Sequence, residues 1–117
     1  MQQDDRRVLK RFQIAGGKVK YCLAEGPESI VELIDLSKNS VRFHMSENLV
    51  NGDLVNLEII IPSNESIKLD GRVVWTSMAK ESQPAHAAVQ FIPFSMEEFR
   101  TTPGFKQLDL ILGKLEK

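Results

Sequence analysis

The chain has 117 residues and a formal net charge of −1, with 42% hydrophobic and 26% charged residues. This length suits one domain, and the composition is typical of a folded globular protein rather than a disordered one. The near-zero net charge argues against a general nucleic-acid binder, so we expect no DNA partner. Cys22 is the single cysteine, which excludes an intrachain disulfide. With no signal-like or membrane-spanning apolar run, we expect a cytoplasmic protein without membrane insertion.

The N-terminal residues are strongly basic. Residues 1–20 carry six lysines and arginines against two aspartates. We expect residues 1–12 to form a flexible segment, because charged chain termini are seldom ordered by themselves. Taken alone, the cluster in residues 6–11 would be interpreted as a solvated terminus.

The middle of the chain predicts strands. Six stretches carry alternating or β-branched apolar residues bounded by turn residues: 13–24, 30–36, 41–45, 55–61, 67–75 and 87–91. In the fifth stretch, parity predicts that Trp75 faces the core and that Gly71 marks a bulge or bend. Antiparallel strands this apolar favour closure, because closure removes exposed edges. We therefore predict an all-β fold, a six-stranded antiparallel β-barrel over residues 12–94.

The C-terminal residues 95–117 change to a helical period. Ser95 and Glu98 have the spacing of a capping box, which predicts a short helix. Thr102 and Pro103 predict the start of a second helix, as its N-cap and first residue. The apolar stripe of this helix consists of Phe105, Leu108, Ile111, Leu112 and Leu115. We expect the stripe to pack on the barrel, and the alternative is a protein partner.

Patterns of catalysis are absent from the sequence. His44 and His86 lack the spacing of a zinc site, and the alternation places His44 on a solvent face. Gly16 and Gly17 are not followed by the residues of a phosphate-binding loop, and Ser37 is not in a nucleophile elbow. We therefore expect neither an enzyme nor a metal site.

The basic N-terminal cluster and the polar loop at residues 35–40 are each weak signals, but together they form a recognisable pattern. The loop at residues 35–40 contains Asp, Ser and Asn, which would ordinarily stabilise a turn. However, the pattern Arg-x-x-x-Arg at Arg7 and Arg11, followed by Asp-x-Ser at Asp35 and Ser37, resembles the PilZ domain family. Members of that family bind the bacterial second messenger cyclic di-GMP. The segments "ENLVNGDLVNLEIIIP", "LDGRVVW" and "HAAVQFIPFS" extend the resemblance from about residue 6 to residue 94.

The resemblance implies a six-stranded barrel with a helix at its end and a second-messenger receptor or adaptor that acts through a downstream protein partner. It implies that Arg7 and Arg11 hold phosphates and guanine edges, and that Asp35 and Ser37 contact a guanine. Guanidinium groups suit this role, because their planar donors match phosphate oxygens and the O6/N7 edge of guanine. The predicted ligand-binding residues are Arg7, Arg11, Asp35, Ser37 and Ser40, with possible support from Arg6, Lys10 and Asn39.

Two positions depart from the family pattern. Ser40 stands where the family has glycine, and a left-handed conformation there would strain serine by about 1–2 kcal/mol. If all of that penalty fell on binding, affinity would drop roughly 5- to 30-fold. Ala88 also replaces a usual glycine, and we expect it to pack closely within the barrel. The alternative function is a degenerate PilZ domain that serves as a protein-interaction module without nucleotide. A general oligonucleotide-binding barrel is disfavoured by the net charge and by aromatic residues at core parity.

Overall fold

The computed structural model describes residues 11–23, 26–45, 49–63, 65–78, 84–93 and 96–115, without the side chains of Met96 and Leu115. These residues form the strands and helices β1 Lys18–Leu23, β2 Ser29–Leu36, β3 Ser40–His44, β4 Leu54–Ile60, β5 Ser66–Ser77, β6 His86–Phe91, α1 Met96–Phe99 and α2 Pro103–Leu115. The six strands close into an antiparallel barrel in the order β1-β2-β3-β6-β5-β4. The predicted six-stranded barrel with C-terminal helices is therefore confirmed. Three candidate site residues, Arg6, Arg7 and Lys10, lie outside the described residues, as does most of the segment predicted to be flexible.

Alternation along each strand separates the barrel interior from its outer face. In β4, Val55, Leu57 and Ile59 are 4% exposed or less, whereas Leu54 and Asn56, at the other parity, are exposed. Successive side chains of a strand point to opposite faces, so one strand supplies both core and surface. Burial of the apolar face is the main stabilising contribution, at roughly 1.5–3 kcal/mol for each fully buried aliphatic side chain.

Gly71 is a close-packing position inside the barrel and does not mark the bulge of β5. The pairing of β5 with β4 runs without interruption through Gly71, which lies opposite Val55. A Cβ atom at Gly71 would lie 2.3 Å from Val89 Cγ1 and 2.9 Å from Gln90 O, so only glycine fits without rearrangement. The prediction of a bulge at Gly71 is wrong. Glycine is needed there because β6 packs so close to Gly71 that no side chain fits between them.

The bulge of β5 lies between Val73 and Trp75. The register with β6 shifts there, so that Val73 pairs with Val89 and Trp75 pairs with Ala88. An extra residue in one strand reverses the parity of the residues after it. Trp75 consequently lies on the outer face with 44% exposure, and the prediction that it faces the core is wrong.

Helix α2 packs on its own barrel. Thr102 Oγ1 accepts a hydrogen bond from Phe105 N at 3.2 Å, which confirms Thr102 as the N-cap. The described stripe residues are at most 9% exposed and belong to the barrel core: Phe105, Leu108, Ile111 and Leu112. Gln107 Nε2 donates to Ser66 O at 2.8 Å, which ties the helix to the start of β5. Packing on the barrel, rather than on a partner, is confirmed for these residues. Neither α2 nor any other described helix is long and apolar enough to cross a membrane.

Candidate functional site

Two backbone hydrogen bonds place Arg11 beside the end of β2. Phe12 N donates to Leu36 O at 2.8 Å, and Leu36 N donates to Phe12 O at 2.9 Å, which forms an isolated antiparallel bridge. Arg11 directly precedes Phe12 of this bridge, so the backbone of Arg11 lies next to the loop that follows β2. Its side chain reaches Asp35 from there. The structure thus brings Arg11 together with the 35–40 loop.

Asp35 is the centre of a cluster with two arginines. The residue is 3% exposed. Arg11 contacts Oδ1 through Nε and Nη2, both at 2.9 Å. Arg42 of β3 contacts both oxygens: its Nε lies 3.2 Å from Oδ1 and 3.0 Å from Oδ2, and its Nη2 also donates to Oδ2. Two guanidinium groups surround one carboxylate, so the cluster carries an excess of positive charge.

The charge of Asp35 is fixed by its neighbours. Burial alone would raise the pKa of its carboxyl, because a charged group is poorly solvated inside a protein. Hydrogen bonds from Arg42 and Arg11, together with their positive charges, outweigh burial and hold the pKa below its usual value. The hydrogen bond to Asp35 raises the pKa of Arg42, while burial acts in the opposite direction. At neutral pH, Asp35 is therefore a carboxylate that can only accept hydrogen bonds.

Ser37 orders the loop between β2 and β3 from the inside. It is fully buried, and its Oγ accepts hydrogen bonds from Asn39 N at 3.3 Å and Ser40 N at 3.2 Å. The hydroxyl can donate to Asn39 Oδ1 at 3.0 Å. Such local bonds are typical of Ser and Asn in turns. The loop built in this way presents Asn39 and Ser40 to the outer face of the barrel.

Ser40 has an extended backbone. It is the first residue of β3 and pairs with Gln90 of β6. The extended region is open to any residue, so the condition for a strain of about 1–2 kcal/mol, a left-handed backbone at Ser40, is not met. The side chain of Ser40 adds a contact instead, because its Oγ accepts a hydrogen bond from Arg11 Nη1 at 3.2 Å.

A shallow groove of about 820 Å³ lies on the outer face over β3, β5 and β6. It is lined by polar and apolar residues of these strands and the adjoining segments: Arg11, Asn39, Ser40, Arg42, Val74, Trp75, Ala88 and Gln90. The lining combines guanidinium, hydroxyl and amide groups with an exposed indole ring. Flat aromatic and guanidinium faces are the surfaces on which proteins stack nucleic-acid bases. The groove is therefore suited to a ligand with both a flat ring and an anionic group.

Ala88 belongs to the groove and not to the core. In β6, Ala87 and Val89 are buried, whereas Ala88 and Gln90 are half-buried and line the groove. Ala88 pairs with Trp75 across the sheet. The prediction that Ala88 packs closely within the barrel is wrong, because its parity is that of the outer face.

Five groove residues were not predicted as site residues from the sequence: Arg42, Val74, Trp75, Ala88 and Gln90. The alternation of residues 41–45 already places Arg42 outward, but its position opposite Asp35 depends on how β2 and β3 pair. Val73, Val74 and Trp75 are three consecutive large apolar residues, which strict alternation cannot bury on one face. That run is a signal for a bulge and for an exposed aromatic residue.

Another groove, of about 650 Å³, lies between β1, β4, β5 and the start of α2. Its charged lining has both signs, with Lys20 beside Glu58 at 3.6 Å and with Lys68 and Asp70 nearby. Neighbouring opposite charges favour no particular anion. Among the described residues, no group of three or more His, Cys, Asp or Glu side chains could hold a metal ion.

Comparison with known families agrees with this geometry. A model of the PilZ domain matches residues 5–102. The chain belongs to the PilZ domain family. No curated protein matches the chain at a significant level.

Solved structures with a PilZ fold resemble this PilZ domain. YcgR of Escherichia coli in complex with c-di-GMP is 19% identical with a TM-score of 0.71, over 95% of this chain and 46% of that one. The PilZ domain of YcgR with c-di-GMP is 16% identical with a TM-score of 0.63, over 97% of this chain and 99% of that one. The K. pneumonia MrkH–c-di-GMP complex is 16% identical with a TM-score of 0.67, over 97% of this chain and 52% of that one. At these identities the similarity concerns the fold, and the chain spans about half the length of full YcgR and MrkH.

Proposed function

We propose that this PilZ domain binds cyclic di-GMP and acts as a second-messenger receptor or adaptor. The observation that carries the proposal is the meeting of Arg11, Asp35 and Ser40 beside a groove that also exposes Trp75. Arginine and carboxylate groups complement the phosphates and the guanines of this nucleotide, respectively. The structures of YcgR and MrkH with c-di-GMP, which share the fold, support the same choice of ligand.

In the absence of ligand, the guanidinium of Arg11 donates to acceptors of the domain itself. Arg11 bonds to Asp35 and Ser40, so a ligand has to exchange these contacts for its phosphate oxygens or a guanine O6/N7 edge. Asp35 would accept from the N–H groups of a guanine, and Trp75 offers a stacking surface. Ser37 would act through the loop whose backbone amides it holds.

The proposed ligand-binding set contains Arg7, Arg11, Asp35, Ser37 and Ser40, supported by Arg6, Lys10 and Asn39. Arg7 would supply a second guanidinium for the phosphates. Ordering of the N-terminal segment over the ligand would change the surface that a downstream protein partner meets. No other cofactor is required for this role, and no catalytic step belongs to it.

Titration of the full chain with cyclic di-GMP by calorimetry tests the proposal. We expect saturable binding, with at least tenfold weaker affinity for Arg11→Ala and for Arg7→Ala, because each loses a charge-assisted contact. Arg100→Ala is the matched control, since Arg100 is exposed at the end of α1, away from the groove. Trp75 is the only tryptophan, so its fluorescence reports on the groove directly. The absence of both heat and fluorescence change at high micromolar nucleotide would reject the proposal.

The alternative function, a degenerate PilZ domain that serves as an interaction module, rested on Ser40 in place of the family glycine and on the apolar stripe of α2. Ser40 lies in an extended strand, and Leu108 and Leu112 of the stripe are buried in the domain's own core. We therefore do not favour that function.

A further inference from the structure

The two arginines that contact Asp35 do so unequally. Arg11 reaches a single oxygen, Oδ1. Arg42 lies side-on and contacts both Oδ1 and Oδ2. A guanidinium that contacts both carboxylate oxygens fixes the plane of the carboxylate, which a contact with one oxygen does not. Arg42 is therefore the partner that sets the orientation of Asp35.

The backbone supports of the two arginines also differ. Arg42 lies in the middle of β3 and pairs with Asp35 on one side and Ala88 on the other. Arg11 instead precedes the isolated bridge between Phe12 and Leu36. The two side chains are about equally exposed, at 40% for Arg11 and 38% for Arg42, so the difference lies in the backbone. Strand residues paired on both sides are held more firmly than a residue beside one bridge. We therefore expect Arg11 to leave Asp35 more easily than Arg42 does.

We propose that Arg42 is a positioning residue: it keeps Asp35, which lies buried behind the two arginines of the groove lining, paired and oriented while Arg11 leaves Asp35 for the ligand. This inference rests on the proposed binding of cyclic di-GMP. Without Arg42, the departure of Arg11 would leave a buried carboxylate unpaired, which is strongly unfavourable. With Arg42 in place, the departure removes both Arg11 contacts from Oδ1, while Arg42 Nε stays 3.2 Å from the same oxygen. Oδ1 is then open to a new donor.

The uncovered oxygen gives the exchange its selectivity. The Watson–Crick edge of guanine offers an N1–H and a 2-amino group, and both donate hydrogen bonds. Asp35 is an acceptor at neutral pH, so Oδ1 can replace the Arg11 contact by a guanine contact. Breaking the Arg11–Asp35 contact then allows two ligand contacts: Arg11 binds a phosphate and Asp35 binds a guanine. Arg42 would act on the affinity through Asp35 rather than through the ligand.

The test compares Arg42→Gln with Arg11→Gln in the full chain, with Arg42→Lys as the conservative variant and Arg100→Gln as the exposed control. The first measurement needs no ligand. Arg11 and Arg42 are the charged groups that the described structure places against the Asp35 carboxyl, so carboxyl-carbon NMR of Asp35 follows both. We expect its pKa to rise more in Arg42→Gln than in Arg11→Gln, and Arg42→Lys to restore part of the difference. An equal or smaller rise in Arg42→Gln would overturn the inference. Folding of each variant is checked by near-ultraviolet circular dichroism.

The second measurement compares cyclic di-GMP with its inosine analogue, which lacks the 2-amino groups. We expect wild-type protein to prefer the guanine form, and Arg42→Gln to lose at least tenfold in affinity for it and most of the preference. Arg11→Gln should weaken both nucleotides and keep the preference. A wild-type preference that persists unchanged in Arg42→Gln argues against the positioning role. If wild-type protein binds neither nucleotide but the pKa of Asp35 follows Arg42, the proposed ligand is wrong and the role of Arg42 in holding the carboxylate stands.

Discussion

Ser40 provides a sharp test of how this site is built, because two opposite expectations attach to it. If its backbone were left-handed, Ser40→Gly would relieve strain and stabilise the domain. The structure instead places Ser40 in β3, paired with Gln90, with its hydroxyl accepting from Arg11 at 3.2 Å. Replacement should then remove a contact and relieve nothing.

The magnitudes follow from these contacts. Loss of an exposed hydrogen bond of this kind contributes about 0.5–1.5 kcal/mol, so Ser40→Ala should lower the free energy of unfolding by about 1 kcal/mol. Ser40→Gly loses the same bond and adds roughly 0.5–1 kcal/mol, because glycine in a strand gives up more conformational freedom on folding. The expected order of stability is wild type, then Ser40→Ala, then Ser40→Gly.

Urea unfolding of the three proteins measures this order, and a double-mutant cycle identifies its cause. In an Arg11→Ala background, Ser40→Ala should cost less than in wild type, because the bond from Arg11 is already gone and only the 3.1 Å contact with Ser37 Oγ is left to lose. The further loss caused by glycine should persist in that background. A Ser40→Gly protein more stable than both wild type and Ser40→Ala would refute the reasoning and show that the serine is strained.

Three further predictions concern packing and charge. Gly71→Ala should lower the free energy of unfolding in urea by about 1–3 kcal/mol, because the added Cβ would lie 2.3 Å from a neighbouring side chain. Gly113→Ala is the control: it has open space around it and should be neutral or stabilising by up to about 1 kcal/mol. Equal effects of the two substitutions would contradict the packing argument. Leu108→Ala, at a fully buried position of α2, should cost about 2–5 kcal/mol, and the exposed Leu110→Ala less than about 0.5 kcal/mol; a small effect at Leu108 would mean that α2 does not pack as described. The lowered pKa of Asp35 contributes stability that is complete above its unfolded value of about 3.9 and is lost as pH falls through the lower folded value. Asp35→Asn should therefore flatten the pH dependence of unfolding below about pH 4, and an unchanged slope would show that the carboxylate is not held as described.

The barrel could be predicted because its strands obey simple alternation. Residues such as Val55 and Ile59 recur at every second position, and turn residues separate one strand from the next. The start of α2 was predictable for a similar local reason, since Thr102 and Pro103 occupy positions that only helix starts favour. Local patterns of this kind need no knowledge of the strand that lies across the sheet.

The errors arose where the outcome depended on a neighbouring strand. The bulge beside Trp75 is a mismatch between β5 and β6, and neither strand reveals it alone. The close packing of Gly71 depends on the side chain of Val89, which is distant in sequence. Ser40 was taken for a loop residue because the length of β3 is set by its pairing with β6. Arg42 was missed as a site residue because its contact with Asp35 exists only after β2 and β3 have paired.

In the closed barrel, the outward residues of a strand can contact a ligand, while the inward residues of the same strand form the core that stabilises the fold. Residues of β3 and β6 that line the groove alternate with residues that are fully buried. The outward set is Ser40, Arg42, Ala88 and Gln90, and the inward set is Val41, Phe43, Ala87 and Val89. Closure also means that a ligand meets side chains and no free strand edge. Ligand preference can therefore diverge through outward substitutions while the interior stays unchanged, so one scaffold can acquire new ligands without refolding its core.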